Sequence, residues 1–315
     1  MKREVRGDMT QPLRVGVIGA GRVGAVLAAA LRAAGHEIVA VAGESDASRH
    51  RAADLLPGVP LDKPTAVAKA SDVLLLTVPD DMLDNVATTL SAAGAIRPGQ
   101  VVVHTSGRHG LAVLTPAIAV GARAIAMHPA MTFTGTDLDL PRLRGCVFGV
   151  TAGPGERALA ETLVADLGGL PMFVPEDKRT LYHAGLAHGA NHLVTLVTQA
   201  MELLGAAGAD DPAATLRPLL SAALDNALAH GDSALTGPIV RGDVGTIRGH
   251  LAEIAATAPH TLPSYVAMAR ATLDRVVTDG RVLPIRANRI RQVLDDALAD
   301  VPAGLDVSAS DHERL

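Results

Sequence analysis

LRVGVIGAGRVGAVLAAALRAAG, residues 13–35, decides the fold. A short apolar run ends in glycine. Gly19, Gly21 and Gly24 follow in the spacing GxGxxG, and an alanine-rich, helix-like segment runs on to Gly35. Alone, GxGxxG arises by chance in a glycine-rich chain. Placed after a strand and at the start of a helix, it has a mechanism. The first glycine makes the tight turn, the second lets a pyrophosphate approach the backbone, and the third lets helix and strand pack closely. The helix start adds unpaired N–H groups and a partial positive charge. The stretch predicts a strand–turn–helix that binds a dinucleotide; an ordinary tight turn is the bland alternative.

Outward from this unit the pattern repeats. HEIVAVAG (36–43), DVLLLTVP (72–79), QVVVHTSG (100–107), ARAIAMHP (122–129) and CVFGVTAG (146–153) are short apolar runs separated by helical patterns. Uninterrupted runs of this kind suit strands buried on both faces of a parallel sheet. Their alternation with helices predicts an α/β, doubly wound Rossmann-type sheet over 13–175. Near Pro175 the character changes to long helical patterns, about 179–205, 212–230, 244–258, 262–279 and 285–299, read as an all-α domain over 176–300. Residues 1–12 and 301–315 read as tails.

Composition narrows the function. Among 315 residues there are three Phe, two Tyr and no Trp, so Ala, Val and Leu must build the core. The formal charge is −5 without blocks of one sign, against a nucleic-acid surface. No apolar run approaches the ~18 residues of a membrane span. Cys146 is the only cysteine, so no internal disulfide forms, and a cytoplasmic protein is the expectation.

In open α/β sheets, ligands bind outside the carboxyl ends of the strands. Gly19, Gly21, Arg22, Val23 and Gly24 are therefore cofactor candidates, together with Val78, Pro79 and Thr105 at later strand ends. After the second strand, Glu44 stands where an acid would bind the ribose hydroxyls of NAD. Ser45, Ser48, Arg49 and Arg51 would instead embrace the extra phosphate of NADP, and the reading leans to NADP with NAD as the alternative. Ser106 and His128 are candidate substrate holders.

LYHAGLAHGANHL (181–193) carries three histidines. His188 and His192 are spaced i, i+4, but a zinc protease would need Glu at 189, which is Gly, and no third ligand is near. Glu202 is about 15 Å further along the helix. No metal is expected. At about 100° per residue, His183 and Asn191 fall within about 80° of each other, so both can border one cleft. A proton donor and a fixed amide beside a nicotinamide are what carbonyl reduction needs; a buried structural histidine is the alternative for His183. In LTGPIVRGD (235–243), Asp243 is a helix N-cap and Gly237-Pro238 a turn. Thr236 and Arg241 are left over, and Arg241 can pair with a substrate carboxylate, with Asp243 or with a partner subunit.

GAGRVG, HTSG, HPAMTFTG, YHAGLAHGAN and LTGPIVRGD, in that order, resemble a family of bacterial Rossmann-like proteins whose C-terminal helical domain has no assigned function. The similarity covers roughly 13–280. The family looks related to pyrroline-5-carboxylate reductase, prephenate dehydrogenase and ketopantoate reductase. The resemblance implies a 6-phosphogluconate dehydrogenase-like helical domain, NAD(P) binding, reduction of a small carboxylated oxo or imino compound, and a homodimer. Ketopantoate reduction is its first specific implication. Laid on the catalytic lysine and two asparagines of ketopantoate reductases, this chain has His183, Ala187 and Asn191. The lost lysine leaves open a second reading, a sensor or scaffold that binds the nucleotide without turnover.

Overall fold

The computed structural model describes residues 12–299, so the expected tails lie almost wholly outside the described residues. Contacts divide the chain into two compact units, residues 1–190 and 191–315.

The first unit is a seven-stranded sheet of order β2-β1-β3-β4-β5-β6-β7. Its strands are β1 (Arg14–Ile18), β2 (Glu37–Ala42), β3 (Val73–Leu76), β4 (Val101–His104), β5 (Arg123–Pro129), β6 (Val147–Ala152) and β7 (Leu170–Phe173). The first five are mutually parallel, with Val15, Val73 and Val101 in register on neighbouring strands. β6 runs antiparallel to β5, and β7 parallel to β6. All of β3 and β4 is buried, which explains their unbroken apolar sequence. β7 was not foreseen. Its LPMF sequence holds a proline and stays largely exposed, as an edge strand allows.

Helices α1 (Arg22–Ala33), α2 (Asp46–Leu55), α3 (Pro64–Ala70), α4 (Leu83–Ala92), α5 (Thr115–Ala119) and α6 (Arg157–Asp166) cover both faces. One core joins Val15, Val17 and Val103 to Leu27 and Leu31 of α1 and Leu163 of α6. The other joins Leu74, Leu76 and Val102 to Val67 of α3 and Leu90 of α4. Two separate cores on one sheet are the doubly wound arrangement expected.

The division between units falls one helix beyond the change of sequence character at Pro175. Helix α7 (Arg179–Leu186) stays with the first unit because Arg179 and Tyr182 are held by the sheet. A π-helical turn, Ala187–Asn191, follows, so the 100° step behind the His183–Asn191 alignment does not run unbroken between them.

The second unit is helical: α8 (His192–Ala206), α9 (Pro212–His230), α10 (Pro238–Arg241), α11 (Val244–Thr257), α12 (Leu262–Thr278) and α13 (Pro284–Ala299). Its core is Ile247, Leu251 and Ile254 of α11 against Val266 and Leu273 of α12 and Ile290 and Leu294 of α13. Asp243 caps α11 as expected, accepting from the Thr246 N–H at 3.1 Å. No helix among the described residues is long and apolar enough to cross a membrane.

Candidate active site

The glycine turn has the geometry its sequence requires. Gly19 has φ +101°, and a Cβ there would strike the Thr77 carbonyl at 2.7 Å. The Thr77 hydroxyl donates to Gly19 O at 2.6 Å, tying the turn to the end of β3. Gly24 packs against that same oxygen and hydroxyl, leaving no room for a side chain. Gly21 differs: apart from Gly19 O at 4.0 Å, nothing lies where its Cβ would be. The N–H groups of Arg22, Val23 and Gly24 take no acceptor among the described residues. Open space above Gly21 and three unpaired amides at a helix start fit a pyrophosphate.

A cleft of about 660 Å³ begins at this turn. Gly19, Gly21, Arg22 and Val23 form one wall, and Glu44, Ser45 and Ser48 line the end beyond β2. Val78, Pro79, Thr105 and Ser106 carry it past β3 and β4. Of the sequence-derived cofactor candidates, Gly24, Arg49 and Arg51 do not line this cleft; Gly24 lies beneath its turn. Ser45 and Ser48 bond each other at 2.9 Å, and Arg49 is paired with Asp46 at 2.7 Å. Arg51 instead lies beside Gly135, with Arg22 next to it. A second cavity of about 650 Å³, lined by Leu111, Ile118, Arg157 and Phe173, holds none of the candidate residues.

At Ser106 the cleft meets a basic cluster. His128, on β5, contacts His183 of α7 edge to face, with ring centroids 5.8 Å apart. Both border Gly107, so close that a Cβ there would overlap the His183 ring and come within 3.1 Å of His128 Nε2. His128 Nδ1 bonds the Tyr182 hydroxyl at 3.0 Å. Burial first, then the His183 and Arg179 charges, lower the pKa of His128 to about 4. His104 is also lowered to about 4, again chiefly by burial, and its Nε2–H donates to Gly110 O at 2.8 Å. Both imidazoles are neutral at pH 7.

Beneath these rings lies Arg179, fully buried. It donates to Ser106 O at 2.5 Å, Gly149 O at 3.1 Å and Thr151 Oγ1 at 3.2 Å, while its Nε has no partner. Arg179, Tyr182 and His183 are spaced i, i+3 and i+4, hence on one helical face. Of these three, only His183 is marked by the histidine-rich pattern of residues 181–193. The spacing itself, with one of the two tyrosines in the chain, was the signal for the others.

Thus Ser106, His128 and His183 come together on the first unit. Asn191, Thr236 and Arg241 belong to the second: Asn191 ends the π-helical turn, Thr236 precedes Gly237, and Arg241 ends α10 with its side chain exposed. Among the described residues no three His, Cys, Asp or Glu side chains are placed to hold a metal.

Residues 1–129 match the family model of a Rossmann-like domain, and residues 146–272 that of a domain of unknown function, DUF2520. No curated protein matches the sequence. Among solved structures the chain is similar to a Bacteroides fragilis protein described, without an established activity, as an NADP oxidoreductase (TM-score 0.72, 20% identity, covering 84% of this chain and 98% of that one). It is also similar to a pyrroline-5-carboxylate reductase from Coxiella burnetii (0.54, 15%, 92% and 98%). A third likeness is to an imine reductase from Myxococcus stipitatus in complex with NAD+ (0.57, 18%, 91% and 100%). At these identities the likeness is one of fold.

Proposed function

For a chain that joins a Rossmann-like domain to a DUF2520 domain, we propose an NAD(P)-dependent reductase of a small carboxylated oxo or imino compound. The observation that carries it is the position of Ser106. It lines the nucleotide cleft and is bonded through its carbonyl to Arg179, under His128 and His183. One end of the cleft thus fits a pyrophosphate, and the other meets polar groups able to act on a substrate.

Bound there, a reduced nicotinamide would supply the hydride. The chain's residues do the rest. The α1 amides would hold phosphate oxygens, and Ser45, Ser48 and Glu44 would hold the adenosine ribose. NADP is the first choice, supported by the Ser45 and Ser48 hydroxyls and Arg22; Glu44 keeps NAD as the second. His183 is the candidate proton donor to the oxygen or nitrogen that becomes negative as hydride arrives, and Ser106 and His128 orient the substrate. Asn191 as a catalytic amide and Thr236 and Arg241 as substrate contacts are proposals that rest on the sequence alone.

The test is consumption of NADPH and NADH with a panel of 2-oxo acids, 2-dehydropantoate first, and of cyclic imines such as pyrroline-5-carboxylate. The imine arm is favoured by the pyrroline-5-carboxylate reductase and imine reductase folds. Loss of nicotinamide absorbance supports the enzyme. Tight binding with no consumption across the panel would instead support the nucleotide sensor.

A further inference from the structure

The loop after β4 is fixed by hydrogen bonds along its length. His104, fully buried, accepts the Ser106 N–H on Nδ1 at 3.2 Å. Its proton is then on Nε2, which donates to Gly110 O at 2.8 Å, so one ring closes the loop from Ser106 to Gly110. Arg179 donates to Ser106 O at 2.5 Å. Just beyond the loop, the Glu176 carboxylate takes the N–H groups of Leu111 at 2.8 Å and Ala112 at 3.0 Å. A backbone held in this way loses little freedom when its side chains bind a ligand.

Two side chains of this loop have bonding capacity left over. Ser106 Oγ accepts the His109 N–H at 3.2 Å, and its own proton meets no acceptor among the described residues. Ser106 lines the cleft of about 660 Å³. Arg108, two residues on, is half-exposed and makes no hydrogen bond among the described residues. Its Nε lies 3.5 Å from Asp80 Oδ2. Asp80 follows the end of β3 and lines the same cleft. Because β3 pairs with β4, this ion pair holds the guanidinium at the Ser106 end of the cleft. A guanidinium has five N–H donors in a planar fork, so one loose ion pair leaves donors for a second carboxylate.

We infer that Arg108 and the Ser106 hydroxyl take the carboxylate of the substrate. The guanidinium binds it through the donors that Asp80 leaves free, and the hydroxyl through its unused proton. Together they set the preference for a carboxylated compound over its neutral analogue. The inference rests on the reductase reading. It moves the carboxylate contact from Arg241, which the sequence alone proposes, to a residue of the nucleotide-binding unit.

The experiment is calorimetric titration of oxalate, and of its neutral diamide oxamide, into the chain alone and with NADP+. Oxalate should bind about tenfold more tightly than oxamide, or better. Arg108→Gln should erase that difference by weakening oxalate about tenfold or more, with oxamide and NADP+ binding as before. Arg108 makes no hydrogen bond within the described chain, so the variant should melt with the natural protein. Arg108→Lys should restore part of the oxalate affinity, since it keeps the charge and loses the fork. With a reducible substrate in hand, Arg108→Gln should raise KM by more than it lowers kcat. Three results would each overturn the inference and leave nucleotide binding standing: equal binding of oxalate and oxamide, no oxalate binding to the NADP+-loaded chain, or undiminished oxalate binding in Arg108→Gln. Oxalate held through Arg108 with neither nicotinamide nucleotide bound would instead overturn the reductase reading.

Discussion

Arg179 shows how much one residue can bind together. Its guanidinium satisfies three acceptors, two on β6 and one in the loop after β4. Arg179→Met, of similar volume, removes the buried charge but takes a donor from each of these oxygens, of which Thr151 Oγ1 keeps its bond to Val174 O, and should cost a few kcal/mol in urea unfolding, at about 1–3 kcal/mol per stranded group. A melt unchanged from the natural protein would show that the three bonds contribute nothing. Gly107→Ala places a methyl against the His183 ring; turnover should collapse while nucleotide affinity holds, and equal losses in both would contradict a site confined to the histidines. The histidines also set a pH dependence. In the unfolded chain His104 and His128 titrate near 6.5, in the folded one near 4. Between these values the unfolded state binds more protons, so stability is full above pH 6.5 and falls as pH drops towards 4, by at most about 3 kcal/mol for each histidine. Unfolding free energies at pH 7 and pH 5 check this; His128→Gln should flatten the slope, and a parallel slope in the variant would exclude His128 as a source. At this scale the sequence showed His128 and His183 through their strand-end and helix positions. It did not show that the Tyr182 hydroxyl bonds His128 Nδ1, because that contact depends on how α7 packs on β5, which no local pattern reveals.

At the scale of elements, the β1–α1 turn matters most. Gly24→Val would force α1 away from Gly19 and Thr77. It should lower nucleotide affinity by more than tenfold, read by calorimetry; unchanged affinity would mean that the close approach of α1 to β1 is not what shapes the phosphate site. The buried strands were legible because they are unbroken apolar runs, and the helices of the second unit because their apolar positions recur with helical period. Three features were not. β7 is short, exposed and contains Pro171. The antiparallel entry of β6 follows from the long connection after β5, not from its composition. The π-helical turn Ala187–Asn191 has no composition that sets it apart from α-helix.

For the molecule as a whole, the second unit has apolar surface left over. Leu219, Leu224 and Leu228 on α9 are 64%, 51% and 80% exposed, and Val194 on α8 is 66% exposed. A homodimer would cover these faces. Light scattering behind size exclusion should give twice the chain mass, and Leu224→Lys with Leu228→Lys should give the monomer; a monomeric natural chain would refute the dimer. Above this stands the nucleotide cleft, since the reductase reading depends on it. The most direct measurement is calorimetric titration of NADPH and NADH into the purified chain. The account predicts one site per chain for at least one of them, lost in Gly24→Val. Saturating binding of neither nucleotide would contradict it.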